Sequence, residues 1–305
     1  MKQHLIPLTV AALLMVIGPA AAQQPYTTPD DAVNALVAAL KSDDAKAVIA
    51  VLGPDGEDIL SSGDTVADAK TRSDFLAAYD ARHRIETKGN KAELIVGLDD
   101  FPVPLPLTRK NDAWRFDTAA GRREILLRRI GRNELSTIKS CLAYVDAQNE
   151  YADKNPSGSG ANIYAQRIVS SPGAKDGLFW PTKDGEEASP LGELVAQAVQ
   201  RGYRVGAERA PYNGYYFKIL TRQGPAAPGG ALDYVFHGKM IGGFALVAYP
   251  AEYRNSGVMT FIVSHAGVVY QKDLGRRTTS IAERMTAFNP DRTWTRVDET
   301  AASQK

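Results

Sequence analysis

Helical and strand-like patterns are segregated along this chain into two blocks, helices first and strands second each time, and that order points to an α+β fold. The first block opens at Thr28-Pro29-Asp30-Asp31, where a capping residue, a proline at the first helical position and early acids all favour a helix start. Ala32, Leu36, Val37 and Leu40 then recur at helical spacing, and a second short helix is expected over residues 44–52, stopped by Gly53-Pro54. Further helical turns follow around Ile59-Leu60 and from Phe75 to Tyr79. Past His83 the pattern shortens to strands at residues 92–98 and 114–117.

Residues 125 to about 151 carry the longest helical pattern, with Leu135, Ile138, Leu142 and Val145 on one side, and begin the second block. A loop of turn-forming residues from Asn155 to Gly160 and a helix over residues 190–201 come next. Strands are expected at residues 215–220, 244–249, 258–263 and 268–271, punctuated by Gly257 and Ala266-Gly267 at hairpin spacing. The expected division is a signal peptide at 1–22, a small α+β domain at 23–124, a larger α+β domain with a long helix and an antiparallel sheet at 125–297, and a disordered tail at 298–305.

The N-terminus sets the expected compartment. Lys2 supplies a positive start, residues 5–17 are almost wholly apolar, and Ala20-Ala21-Ala22 offers the small residues a signal peptidase reads, so cleavage is expected after Ala22. The apolar run is shorter than the roughly 20 residues a spanning helix needs, and no Cys follows for lipid attachment. The mature protein is therefore expected in the periplasm, with secretion beyond it as the other destination and no stable membrane insertion. Its charge is balanced: 36 Lys and Arg stand against 35 Asp and Glu, and Lys2 leaves with the signal. Such a chain has no overall field to attract nucleic acid. The run Arg122, Arg123, Arg128, Arg129 and Arg132 reads as a solvated helix face. Cys141 is the only cysteine, so no intramolecular disulfide forms, and its place among Ile138, Leu142 and Val145 reads as core.

Several segments carry a resemblance. Residues 214–220, the loop Gly224-Pro225-Ala226-Ala227-Pro228-Gly229-Gly230, and residues 243–253, 257–263 and 267–275 resemble domain-of-unknown-function family 2950. The resemblance implies an exported envelope protein of Gram-negative bacteria and brings no assigned activity. Gly214-Tyr215-Tyr216-Phe217, Ala248-Tyr249-Pro250 and residues 261–267 also resemble, more distantly, the globular heads of type IV pilins and pseudopilins. That second resemblance implies a pilin-head-like fold for residues 125–297. It does not extend to a filament, because the long helix carries Arg132, Glu134, Lys139, Asp146 and Glu150 where a pilin helix is apolar.

No zinc-protease, Cys-x-x-Cys, Gly-x-Ser-x-Gly, Walker or dinucleotide fingerprint occurs, so neither a catalytic residue, a metal nor a cofactor is expected. Ser136-Thr137-Ile138-Lys139 matches Ser-x-x-Lys but lacks the companion elements of the enzymes that use it. His237 and His265 sit near strand ends with Asp233 close to the first, which makes them a candidate binding or acid–base group. Tyrosines crowd the second block, and Tyr216 and Tyr253 are the candidate binding residues among them. Trp180, in Gly177-Leu178-Phe179-Trp180-Pro181, is the other. The function expected is a non-catalytic envelope module that binds a protein partner or a glycan. An envelope hydrolase built on His237, His265 and Asp233 is the alternative.

Overall fold

The computed structural model describes residues 23–298 apart from 155, 157, 159–161, 184 and 205–209. The expected signal peptide at 1–22, most of the turn-rich loop at 155–160 and the expected tail past Asp298 lie outside the described residues. Helices and antiparallel sheets are both present, and the fold is α+β.

The opening helices form where their caps stand. α1 (Pro29–Lys41) starts in a reciprocal capping box between Thr28 and Asp31, and α2 (Ala45–Leu52) starts at Asp44, whose carboxylate accepts from the Lys46 and Ala47 amides. α3 (Glu57–Leu60) is a single turn, and α4 (Thr65–Ala81) is capped by Asp64. Five strands follow: β1 (His83–Lys88), β2 (Lys91–Val96), β3 (Phe101–Pro102), β4 (Leu107–Lys110) and β5 (Ala113–Phe116). They pair in the order β1-β2-β4-β5, with β3 also against β2, every pairing being antiparallel. Strand β1 was not expected from the sequence because only Ile85 along it is even partly buried.

α5 (Thr118–Lys154) is one uninterrupted helix of 37 residues and starts seven residues before the expected position. Asp117 opens it, its carboxylate accepting from the Ala120 amide at 3.2 Å. Residues 118–124 contain no apolar repeat, which hid this start. Gly121 is needed there because a Cβ at this position would lie 2.6 Å from the Pro104 carbonyl oxygen.

The remaining elements are α6 (Gly192–Gln200), β6 (Tyr215–Leu220), β7 (Arg222–Gln223), β8 (Leu232–Asp233), β9 (Val235–Phe236), β10 (Lys239–Met240), β11 (Ala245–Pro250), β12 (Thr260–Ser264), β13 (Val269–Lys272), α7 (Thr278–Arg284), β14 (Ala287–Phe288) and β15 (Thr295–Arg296). The main sheet runs β15-β13-β12-β11-β6 and is antiparallel throughout. Every residue of β11 and β12 is buried, so both faces of the sheet are covered. α5 packs against β11, β12 and β13, and α7 against β11.

The buried apolar residues fall into two clusters, one drawn from residues 32–116 and one from residues 138–297. α5 serves both, placing Ile125 against the first and Ile138, Cys141, Tyr144, Val145 and Tyr151 in the second. Cys141 is fully buried, and that burial pushes its thiol up to about 12. None of the described helices is long and apolar enough to cross a membrane.

A polar seam joins the two clusters. Arg129 donates to the carbonyl oxygens of Asp58 (2.7 Å) and Ile59 (2.6 Å) and to Asn255 Oδ1 (2.6 Å). Asn255 in turn donates to the Ser61 carbonyl at 2.7 Å and to Glu252 at 2.8 Å. One turn further along α5, Asn133 donates to the Ser256 carbonyl, and Glu134 accepts from the Val258 and Met259 amides, all within 2.9 Å. Removing the guanidinium leaves two backbone carbonyls and an amide oxygen without their charged donor. Arg129→Ala should therefore lower unfolding free energy by about 2 to 3 kcal/mol, read from urea titration, and Arg129→Lys should recover only part of it because a single ammonium cannot span the three acceptors. A loss below about 0.5 kcal/mol would show that water replaces the guanidinium here.

Candidate functional site

α6 has the pattern of a helix packed on one side, with Leu191, Leu194, Val195 and Ala198 at helical spacing. The packing is incomplete: Leu191 and Ala198 are buried, Leu194 and Val195 only partly so, and Val199 is 48% exposed. The uncovered part of this face looks across a cleft of about 390 Å³. Ser140 and Tyr144 of α5 line it from one side, and Tyr216, Phe217, Leu246 and Tyr249 of β6 and β11 from another. Tyr203, Arg204 and Tyr212 line it beyond the end of α6. A mostly apolar concavity of this size with a few convergent polar groups is the usual form of a binding pocket.

Each aromatic wall is held by a specific contact. Tyr216 and Tyr249 stand opposite each other in the β6–β11 register with rings 5.6 Å apart. Tyr144 meets Phe244 edge-on at 5.6 Å, and Gln148 donates to its hydroxyl at 3.0 Å. Tyr203 packs edge-on against Tyr212 at 5.1 Å and donates to Asp64 Oδ2 at 2.8 Å. Asp64 is 1% exposed, and the same oxygen accepts from the Gly214 amide at 2.8 Å. The cap of α4 therefore also fixes the cleft wall. Burial, then the neighbouring Asp64 carboxylate, raises the Tyr203 phenol above its ordinary range, and burial does the same to Tyr144. Both phenols stay protonated in neutral solution, and each also accepts a hydrogen bond, Tyr144 from Gln148 and Tyr203 from the Asn213 amide at 3.2 Å.

The residues singled out from sequence occupy different surroundings. Tyr216 lines the cleft. Trp180 is 8% exposed, lies edge-on to Tyr151 at 6.5 Å with the Lys175 ammonium 5.4 Å from its ring, and lines a second hollow, of about 540 Å³, that shares Val195 and Val199 with the cleft. It is part of the wall behind α6 rather than a presented anchor. Tyr253 donates to Asp273 at 3.1 Å, with the Arg254 guanidinium 5.4 Å from its ring. His237 is exposed at the β9–β10 turn with φ +48°, and His265 is exposed at the β12–β13 turn, edge-on to Tyr234 and Phe244. Among the described residues, no group of three or more His, Cys, Asp and Glu side chains is placed to hold a metal.

The loop at 224–230 is braced from within the protein. Gln223 donates to the carbonyls of Pro228 (3.0 Å) and Gly230 (2.6 Å), Tyr234 donates to Gln223 at 2.9 Å, and Asn289 accepts from the Ala226 amide at 2.9 Å. A Cβ at Gly224 would sit 2.4 Å from Asn289 Oδ1, so glycine is required by close approach.

The family model described as protein of unknown function DUF2950 matches residues 23–297, most of the chain. The chain belongs to this family. No curated protein and no solved structure matches it. For this DUF2950 member the sequence had marked Tyr216, but it missed Leu194, Val199 and Arg204 as cleft residues. The periodicity of α6 is the same whether its apolar face is covered or left open.

Tyr203→Phe deletes one of the donors to a buried carboxylate while keeping the ring. It should lower stability by about 1 to 2 kcal/mol in chemical denaturation, whereas Tyr253→Phe, at a more exposed pair, should change it by less than about 0.5 kcal/mol.

Proposed function

We propose that this DUF2950 protein is an exported, non-catalytic binding module of the bacterial envelope, and that the Tyr216 cleft is where it takes its partner. What carries the reading is the composition of the cleft: aliphatic side chains of α6 faced by tyrosines, with Arg204 the only charged residue among the described residues of its lining. Acid–base chemistry needs a titrating pair within hydrogen-bond reach of the substrate, and such a lining offers apolar area and phenol donors instead. It suits a partner with an apolar body better than a glycan, which is usually held by exposed aromatic platforms and a polar rim. Export rests on the positive start, apolar run and small-residue site of residues 1–22.

The hydrolase alternative would place its chemistry at His237, His265 and Asp233. Among the described residues no hydrogen bond joins any of these three to another. The pilin-head likeness enters the proposal only as a fold for the second block. The half of α5 that a filament would need apolar is occupied by the polar seam.

The test is native mass spectrometry of protein recovered from the periplasmic fraction. The chain should begin at Gln23 and carry a bound species that Leu194→Trp, which fills the cleft, removes. His237→Ala and His265→Ala should keep that species. Loss through the histidine variants, with Leu194→Trp behaving as wild type, would move the site away from the cleft.

A further inference from the structure

Resting on the cleft reading above, we infer that the ligand class is an amphipathic anion, an aliphatic body ending in a single carboxylate, with the chain along α6 and the charged end at Arg204. The aliphatic part follows from Leu194, Val195, Ala198 and Val199, a continuous apolar stripe whose burial the protein itself leaves incomplete. The anionic end follows from charge. Arg204 is exposed at the cleft, has no ion-pair partner among the described residues, and the described residues of the lining include no carboxylate. Arg201, also exposed, adds a second positive charge at the same end of α6.

The hydrogen-bonding groups agree. The hydroxyls of Tyr212 and Tyr216 also line the cleft and have no hydrogen-bond partner among the described residues. Tyr203, by contrast, spends its hydroxyl on Asp64. A carboxylate accepts a forked pair of bonds from a guanidinium and has further lone pairs for phenol donors, so its acceptor capacity matches the donors these three residues offer. A neutral alcohol would leave the guanidinium without a counter-ion, and a cationic amphiphile would meet Arg204 and Arg201 as like charges. At about 390 Å³ the cleft holds one small ligand, not a folded segment of another protein.

Decanoate and decanol separate the apolar and anionic contributions, because they share a chain and differ at the head group. Binding of each to the mature protein is measured by calorimetry at low salt, with the Tm of every variant recorded as a folding control. Decanoate should bind at least about tenfold tighter than decanol, and Arg204→Gln should remove that preference while leaving decanol affinity within about twofold. Raising the salt should weaken decanoate and spare decanol. Leu194→Trp should abolish both. Equal affinity for the two probes, or a preference for decanoate that survives Arg204→Gln, would overturn the anionic assignment and leave the cleft reading in place. Absence of binding by either probe would overturn both.

Discussion

The position of Arg129 decides how the rest of the molecule is put together. Its guanidinium lies where α5 passes between the 58–61 segment and the loop leading from β11 to β12, and it is bonded to both. Burial lowers its pKa, yet arginine stays charged under any condition in which the protein is folded, so the seam is held by a permanent ion dipole contact rather than by one that titrates. The loop it clamps is tight enough that Gly257 admits no side chain, a Cβ there overlapping the Tyr215 hydroxyl. Tyr215 in turn donates to the Met259 carbonyl at 2.9 Å, which ties the first residue of β6 to the start of β12 across β11. Register in the main sheet and placement of the small sheet are thus set at one junction.

The cleft is a by-product of that arrangement. With α5 fixed along the main sheet, α6 reaches the sheet only through part of its apolar face, and the tyrosines of β6 and β11 fill some of the remaining space without closing it. Tyr144, Phe244 and Tyr164 form an edge-to-face cluster beside it that needs no further partner. The contrast between these packed aromatics and the hydroxyls of Tyr212 and Tyr216, which have no hydrogen-bond partner among the described residues, is what distinguishes packing from a site here. Membership of a family of unknown function supplies no activity to weigh against this chemistry, so the functional reading stands on the cleft alone.

Local signals in the sequence were read well because they are local. Thr28, Asp44 and the Gly53-Pro54 stop act within a few residues, and β6, β11, β12 and β13 alternate or run apolar strongly enough to be placed to within about two residues, whereas the two-residue strands β7 to β10 are too short to leave a pattern. Cys141 was legible as core for the same reason. β1 was not, since its charged residues pair only through the backbone with β2. The start of α5 was missed because Gly121 sits there for the sake of Pro104 and Leu105, far away in the pattern but adjacent in space. At the site the limit is sharper. Trp180 and Tyr216 look equally available in sequence, and only tertiary packing makes one a wall behind α6 and the other a lining residue of the cleft. Arg204 carried no sequence signal at all, since nothing in its neighbours reveals whether a surface cation has an acid opposite it.

The continuity of α5 has a consequence for how the molecule comes apart. A cut between residues 124 and 125 would fall in the middle of hydrogen-bonded helix, stranding the turn that carries Ile125 on one piece and its cap at Asp117 on the other. Two apolar clusters would ordinarily suggest two melting transitions. Here each depends on the same 37-residue rod, which carries Ile125 for one core, Ile138 to Tyr151 for the other and the seam residues between them. The shared helix thus gives thermal unfolding a path by which loss of one cluster weakens the other.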